Sequence, residues 1–195
     1  MIVDVSGLAC IRGGRNLYSG VSFALAGGES LRVSGPNGVG KSSLLRQICG
    51  LLPCRYGSIC LDDERGVALA DERPALDQER PLRDALMFWA RLDGAGPERV
   101  DEAIALMALG ALAKLPVRML STGQRKRAVL ARAIASPARL WLLDEPGNGL
   151  DDASLDALGQ AMDAHVAQGG AIIAASHFAL PHRFTHTLDL AEHTR

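Results

Sequence analysis

Gly35-Pro36-Asn37-Gly38-Val39-Gly40-Lys41-Ser42 fits the spacing G-x-x-x-x-G-K-[ST] in full. Glycines let successive backbone N–H groups turn inward as an anion nest, with no Cβ in the way. A helix expected over Ser42–Cys49 adds the positive end of its dipole. Lys41 is a point charge placed to reach the β- and γ-phosphates of a nucleotide; the Ser42 hydroxyl is placed to ligate Mg²⁺, and Ser43 follows it among the nucleotide-binding positions. A glycine-rich turn that happens to precede Lys-Ser is the alternative. The strand before and the helix after favour the phosphate cradle.

A second set of polar groups ends two apolar strands. Arg139-Leu140-Trp141-Leu142-Leu143 runs into Asp144-Glu145. At the carboxyl edge of a parallel sheet, Asp144 can hold Mg²⁺ through water, and Glu145 can orient or deprotonate an attacking water. The competing reading is an acidic helix N-cap, because Pro146 and a helix follow. His177 follows the strand expected over Ala171–Ser176; it is either structural or placed to contact a γ-phosphate. Leu120-Ser121-Thr122-Gly123-Gln124 opens a basic helix over Thr122–Ala135. Serine N-capping accounts for Ser121, but not for Gly123, Gln124 and the order of these four elements.

These groups need a scaffold. Short strands are expected at Ile2–Val5, Ser22–Leu25, Glu29–Ser34, Ser58–Leu61 and Gly66–Leu69, with turns at Gly13-Gly14 and Gly27-Gly28. Helices are expected over Leu82–Arg91, Pro97–Leu109 and Asp151–Gln168, and an edge strand over His186–Leu190. Continuous apolar strands alternating with helices indicate a mostly parallel sheet covered on both faces. The helices after Pro74 form an inserted lobe, giving one domain of 195 residues with a core of about 1–73 and 117–195 and a lobe of about 74–135.

Composition bounds the function. With 21 basic and 22 acidic residues the net charge is −1, against a broad electrostatic grip on nucleic acid or anionic lipid. Hydrophobic residues reach 48%, enough for a packed core; aromatics are 4%, so packing rests on aliphatic side chains. The longest apolar run, Ala103–Ala113, is short of the roughly 18 residues a spanning helix needs. The start lacks a secretory signal, so a cytosolic protein is expected. Cys10, Cys49, Cys54 and Cys60 form no C-x-x-C, and are expected as free thiols packed as small apolar residues.

Taken together, Gly35–Ser42, Leu120–Gln124, Leu143–Pro146 and His177 resemble the ATP-binding cassette (ABC) family over almost the whole chain. Leu120–Gln124 is similar to its L-S-G-G-Q signature, with Thr122 in place of one glycine. The resemblance implies an α/β fold of the P-loop NTPase class, ABC ATPase type: a mostly parallel core sheet, a small antiparallel β layer and an inserted α-helical lobe. It also implies ATP and Mg²⁺ as ligands, and a head-to-tail homodimer that forms with ATP. In that dimer Ser121, Thr122, Gly123 and Gln124 serve the partner's ATP, and Asp151 is similar to the aspartate of the D-loop. One cassette with no spanning segment resembles a transporter subunit whose integral membrane parts are separate chains.

Two departures stand out. The adenine-stacking aromatic of the family falls, by counting back from Val21-Ser22-Phe23, on Arg12, whose guanidinium plane can stack on a base. The glutamine that usually precedes the helical lobe is missing; Glu72 and Gln78 are both candidates. The first strands, Leu8 to Phe23, and Asp84-Ala85-Leu86-Met87-Phe88-Trp89 resemble the ATP-binding subunits of cytochrome c biogenesis (Ccm) haem exporters. That resemblance implies ATP hydrolysis at the cytoplasmic face of a bacterial inner membrane, coupled to haem export or to release of a haem-loaded chaperone. An ATPase of another ABC transporter, and a soluble iron–sulfur assembly ABC ATPase, are the alternatives. No C-x-x-C-H is present, so direct haem binding is not expected, and His182, His186 and His193 are read as solvent-facing or structural.

Overall fold

The computed structural model describes residues 1–62, 66–72 and 75–194. Arg73 and Pro74, where the inserted lobe was expected to begin, lie outside the described residues. The chain runs β1 (Val3–Arg12), β2 (Arg15–Leu25), β3 (Ser30–Ser34), α1 (Lys41–Ile48), β4 (Tyr56–Leu61) and β5 (Val67–Ala70). The lobe helices α2 (Leu82–Leu92), α3 (Pro97–Leu106) and α4 (Thr122–Ala135) follow, then β6 (Leu140–Asp144), α5 (Asp152–Ala167), β7 (Ala171–Ala175) and β8 (His186–Asp189). Among the described residues no helix is long and apolar enough to cross a membrane.

Two sheets form. β2, β1 and β4 make an antiparallel layer, in that order. β5, β6, β7, β3 and β8 make a five-stranded parallel sheet with β8 at one edge. β6 and β7 are buried at every position, as interior parallel strands must be. Their side chains alternate between faces. Leu140, Leu142, Ile173 and Ala175 pack with α1 and the antiparallel layer. Trp141, Leu143, Ile172 and Ala174 pack with α4, α5 and the lobe helices in one continuous apolar cluster. The lobe therefore shares its core with one face of the sheet.

Three local expectations are corrected. The first two strands are long, because Gly13 and Gly14, with φ of 56° and 76°, close a two-residue hairpin between Arg12 and Arg15. Register shifts along the hairpin break the alternation, which is why sequence suggested only short runs. α3 stops at Leu106 rather than Leu109. Ala108 turns left-handed (φ 51°), and the Arg127 guanidinium donates to the carbonyls of Met107 and Ala108, satisfying the helix end. Of the cysteines only Cys10 is buried; Cys60 is exposed because β4 is an edge strand with most of its residues open to solvent, and Cys54 is exposed in the loop before it.

Register determines where the polar groups collect. Val33, Ala175 and Asp144 lie in one row across β3, β7 and β6, and Ala70 of β5 pairs with Leu143. The next residues along all four strands therefore emerge at one carboxyl edge: Ser34-Gly35, Ser176-His177, Glu145 and Asp71-Glu72. This is where a parallel sheet forms its ligand crevice.

Candidate nucleotide-binding site

Gly35, Gly38 and Gly40 adopt φ of 131°, 81° and 116°, a region that side chains rarely tolerate. Gly40 is the N-cap of α1, and a Cβ there would lie 2.9 Å from the Tyr18 ring. Asn37, Gly38, Gly40, Lys41, Ser42 and Ser43 line one cleft. Pro36 contributes its carbonyl to Lys41, and the Val39 side chain is buried in the core. Those two residues therefore shape the loop from its backbone and its underside.

Lys41 is 6% exposed. Its ammonium donates to the Gly35 carbonyl at 2.9 Å and stands 3.5 Å from Glu145 Oε1. Glu145 Oε2 lies 2.8 Å from His177 Nδ1. The Glu145 backbone is left-handed (φ 47°), a conformation costing about 1–2 kcal/mol for a residue with a Cβ. Its N–H donates to the Ala175 carbonyl, and its carbonyl accepts from Asn148 N–H, which hold the turn. Strain of this kind concentrates at functional positions.

Asp144 is 4% exposed, and burial raises its pKa above the usual carboxylate value, with the Ser42 hydroxyl bond opposing that shift. Among the described residues, Asp144 Oδ1 is buried with no hydrogen-bond partner. A hydroxyl beside a carboxylate with an unused lone pair offers the hard oxygen donors that magnesium takes. Neither carboxylate caps a helix: the N-cap of α5 is Asp151, whose carboxylate accepts from Ser154 N–H at 2.9 Å.

Ser121 caps α4 in a capping box. Its hydroxyl accepts from Gln124 N–H, while Gln124 Oε1 accepts from Ser121 N–H at 2.9 Å. Local capping thus explains Gln124 as well as Ser121, which sequence reasoning did not assign. Thr122 and Gly123 line a second cleft, together with Asn148 and Gly149, and a Cβ at Gly123 would lie 3.3 Å from the Gly149 carbonyl. The two clefts share Glu72 and Asn148.

The two departures in the sequence find places. Glu72 reaches both clefts, whereas Gln78 is held within the lobe by Leu76 and Arg118. Arg12 is exposed at the hairpin tip and lines a neighbouring cleft with Arg46, Asp71, Trp89 and Arg132. Leu17 is the hairpin residue at the phosphate-loop cleft. Sequence reasoning missed Leu17, Asn148 and Lys126 as site residues; only Lys126 carried a signal, a charge two residues after Gln124 on a helix that must pack. Among the C-terminal histidines, His182 is structural, bonded to Asp163 and Ser30, and His186 pairs with Glu29 at the surface.

The ABC transporter family profile matches residues 18–148. The chain is 52% identical to a protein named cytochrome c biogenesis ATP-binding export protein CcmA from Sphingopyxis alaskensis, covering 92% of each. It is 50% identical to the protein of that name from Zymomonas mobilis, covering 94% of this chain and 81% of that one. Among solved structures, an ABC transporter ATP-binding subunit superposes with TM-score 0.84 at 24% identity, over 91% of this chain and 80% of that one. The ATP-binding cassette MJ0796, in a dimeric post-hydrolysis state with ADP and phosphate, superposes with TM-score 0.81 at 20% identity, over 91% and 88%. Those two likenesses establish the fold. With the phosphate loop, paired carboxylates and signature segment in place, the chain belongs to the ABC transporter ATP-binding family, in its cytochrome c biogenesis (CcmA) branch.

Proposed function

We propose that the chain is the ATP-hydrolysing subunit of a cytochrome c biogenesis ABC transporter, driving haem export or release of a haem-loaded chaperone. The observation that carries hydrolysis is the placement of Glu145. Its carboxylate is oriented by His177 at 2.8 Å and faces the Lys41 ammonium at 3.5 Å, at the mouth of a phosphate cradle. The cytochrome c branch rests on the 52% identity to the Sphingopyxis protein.

Gly35 to Ser43 bind the triphosphate, with Lys41 leaving Glu145 for the β- and γ-phosphates. Ser42, and Asp144 through a water, would hold the magnesium ion that neutralises phosphate charge when bound. Glu145 orients water for in-line attack, and His177 holds Glu145 and meets the γ-phosphate. Arg12 or Leu17, both on the β1–β2 hairpin, meets the adenine.

Ser121 and Gly123 do not line the phosphate-loop cleft of their own chain. This supports a two-fold homodimer in which Ser121, Thr122, Gly123 and Gln124 close over the partner's ATP, with Asp151 at the junction. The subunit sits peripherally at the cytoplasmic face of the inner membrane on separate integral membrane subunits; it binds neither nucleic acid nor haem itself.

Deletion of the gene, complemented with wild type or Lys41→Ala, tests this reading. Covalent haem staining should show c-type cytochromes only with wild type. Normal staining in the deletion strain would overturn the assignment.

A further inference from the structure

Lys126 lies on the lobe helix α4, yet its ammonium donates to the Asp144 carbonyl at 3.3 Å. It lines the signature-side cleft with Asp71 and Glu72. Asp71, Glu72 and Asp144-Glu145 occupy one edge of the parallel sheet. From the core, Lys41 stands 3.5 Å from Glu145 and Arg46 pairs with Asp71 at 3.1 Å. Lys126 brings a positive charge to the same carboxylates from the lobe side. Burial lowers its pKa, and attraction to Asp144, Glu72, Glu145 and Asp71 opposes that shift. α4 begins at the signature segment, so any movement of the lobe carries Lys126 with it.

A divalent cation beside Asp144 and the Lys126 ammonium draw on the same negative field and repel one another. Glu72, which reaches both clefts, attracts both cations, so its effect on metal binding is opposite to that of Lys126. We propose that Lys126 is a positioning residue that, opposed by Glu72, couples the orientation of the signature helix to occupancy of the metal end of the nucleotide site. The coupling is ionic. With a divalent cation held by Asp144, Lys126 would be repelled from its bond to the Asp144 carbonyl, and the helix that carries the signature would shift with it. The inference rests on the magnesium–nucleotide reading above.

The test is binding of a fluorescent, non-hydrolysable ATP analogue by the purified chain, titrated with Mg²⁺. Lys126→Gln should lower the half-saturating magnesium concentration about fivefold, because a nearby like charge is gone. Glu72→Gln should raise it by a similar factor, and Lys126→Arg should stay near wild type. Hydrogen exchange at residues 122–127 gives a second readout. Magnesium should change it in wild type and Lys126→Arg, but not in Lys126→Gln. An unshifted magnesium requirement in Lys126→Gln or Glu72→Gln, with nucleotide still bound, would overturn the role of Lys126 alone. Failure of the wild type to bind nucleotide at any magnesium concentration would overturn both readings.

Discussion

The Tyr18 ring occupies the space that a side chain at Gly40 would need: a Cβ there would lie 2.9 Å from two of its ring carbons. Tyr18 belongs to the antiparallel layer and Gly40 to the phosphate loop. The layer therefore moulds the loop from behind. The Tyr18 hydroxyl donates to Gln47 Oε1 on α1, and burial pushes the phenol far above its ordinary pKa, so it stays a donor.

Gly40→Ala adds a clash to a left-handed backbone, and should weaken binding of a fluorescent ATP analogue by tenfold or more. Tyr18→Phe keeps the ring but strands the buried Gln47 oxygen. It should cost about 1–3 kcal/mol of stability in urea unfolding while nucleotide affinity stays near wild type. Equal affinity losses in both variants would argue that the ring does not shape the loop.

Glu145→Gln removes the charge proposed to orient water and leaves the phosphate loop intact. ATPase turnover, measured by phosphate release, should fall by a hundredfold or more, while ATP drives a dimer visible in size-exclusion chromatography. His177→Ala should fall in the same direction. Wild-type turnover in Glu145→Gln would remove that carboxylate from the chemistry.

Ser121 caps α4, and substitution can separate that role from the proposed contact with the partner's ATP. Ser121→Ala loses the cap, and should cost about 1 kcal/mol of stability as well as ATPase activity. Ser121→Asp restores the cap but sets a negative charge toward a phosphate. Thermal melting should recover and phosphate release should not. Recovery of both would mean that Ser121 is only a cap.

His165 stacks on Trp141 with centroids 3.9 Å apart, and burial lowers its pKa from 6.5 to about 4. Unfolding releases the ring to its higher pKa, so the unfolded chain binds the extra proton between these values. This contribution to stability is full above pH 6.5 and is lost as pH falls toward 4, up to about 3 kcal/mol. His165→Phe should flatten urea stability across that window relative to wild type; an unchanged slope would contradict the burial of a neutral ring.

The phosphate loop, the carboxylates after an apolar strand and the signature segment were legible because their chemistry is local. Glycines are needed where the backbone is left-handed, and parallel strands buried on both faces must be continuously apolar. Helix α4 was found with its observed limits because Ser121 marks its start. The end of α3 was misplaced because its stop is made by Arg127, distant in sequence. The exposure of Cys60 was missed because it depends on which strand lies at the edge of the layer.

Residue order alone pointed to a glycine-rich phosphate loop, a paired-carboxylate strand end and a signature helix in this chain. Only the folded arrangement decided that Glu145 meets both His177 and Lys41, that Glu72 rather than Gln78 lines the phosphate-loop cleft, and that Lys126 meets the Asp144 carbonyl across the lobe boundary. The reason is geometric. Strand register and helix packing set which side chains distant in sequence share one sheet edge, and no local pattern encodes that register.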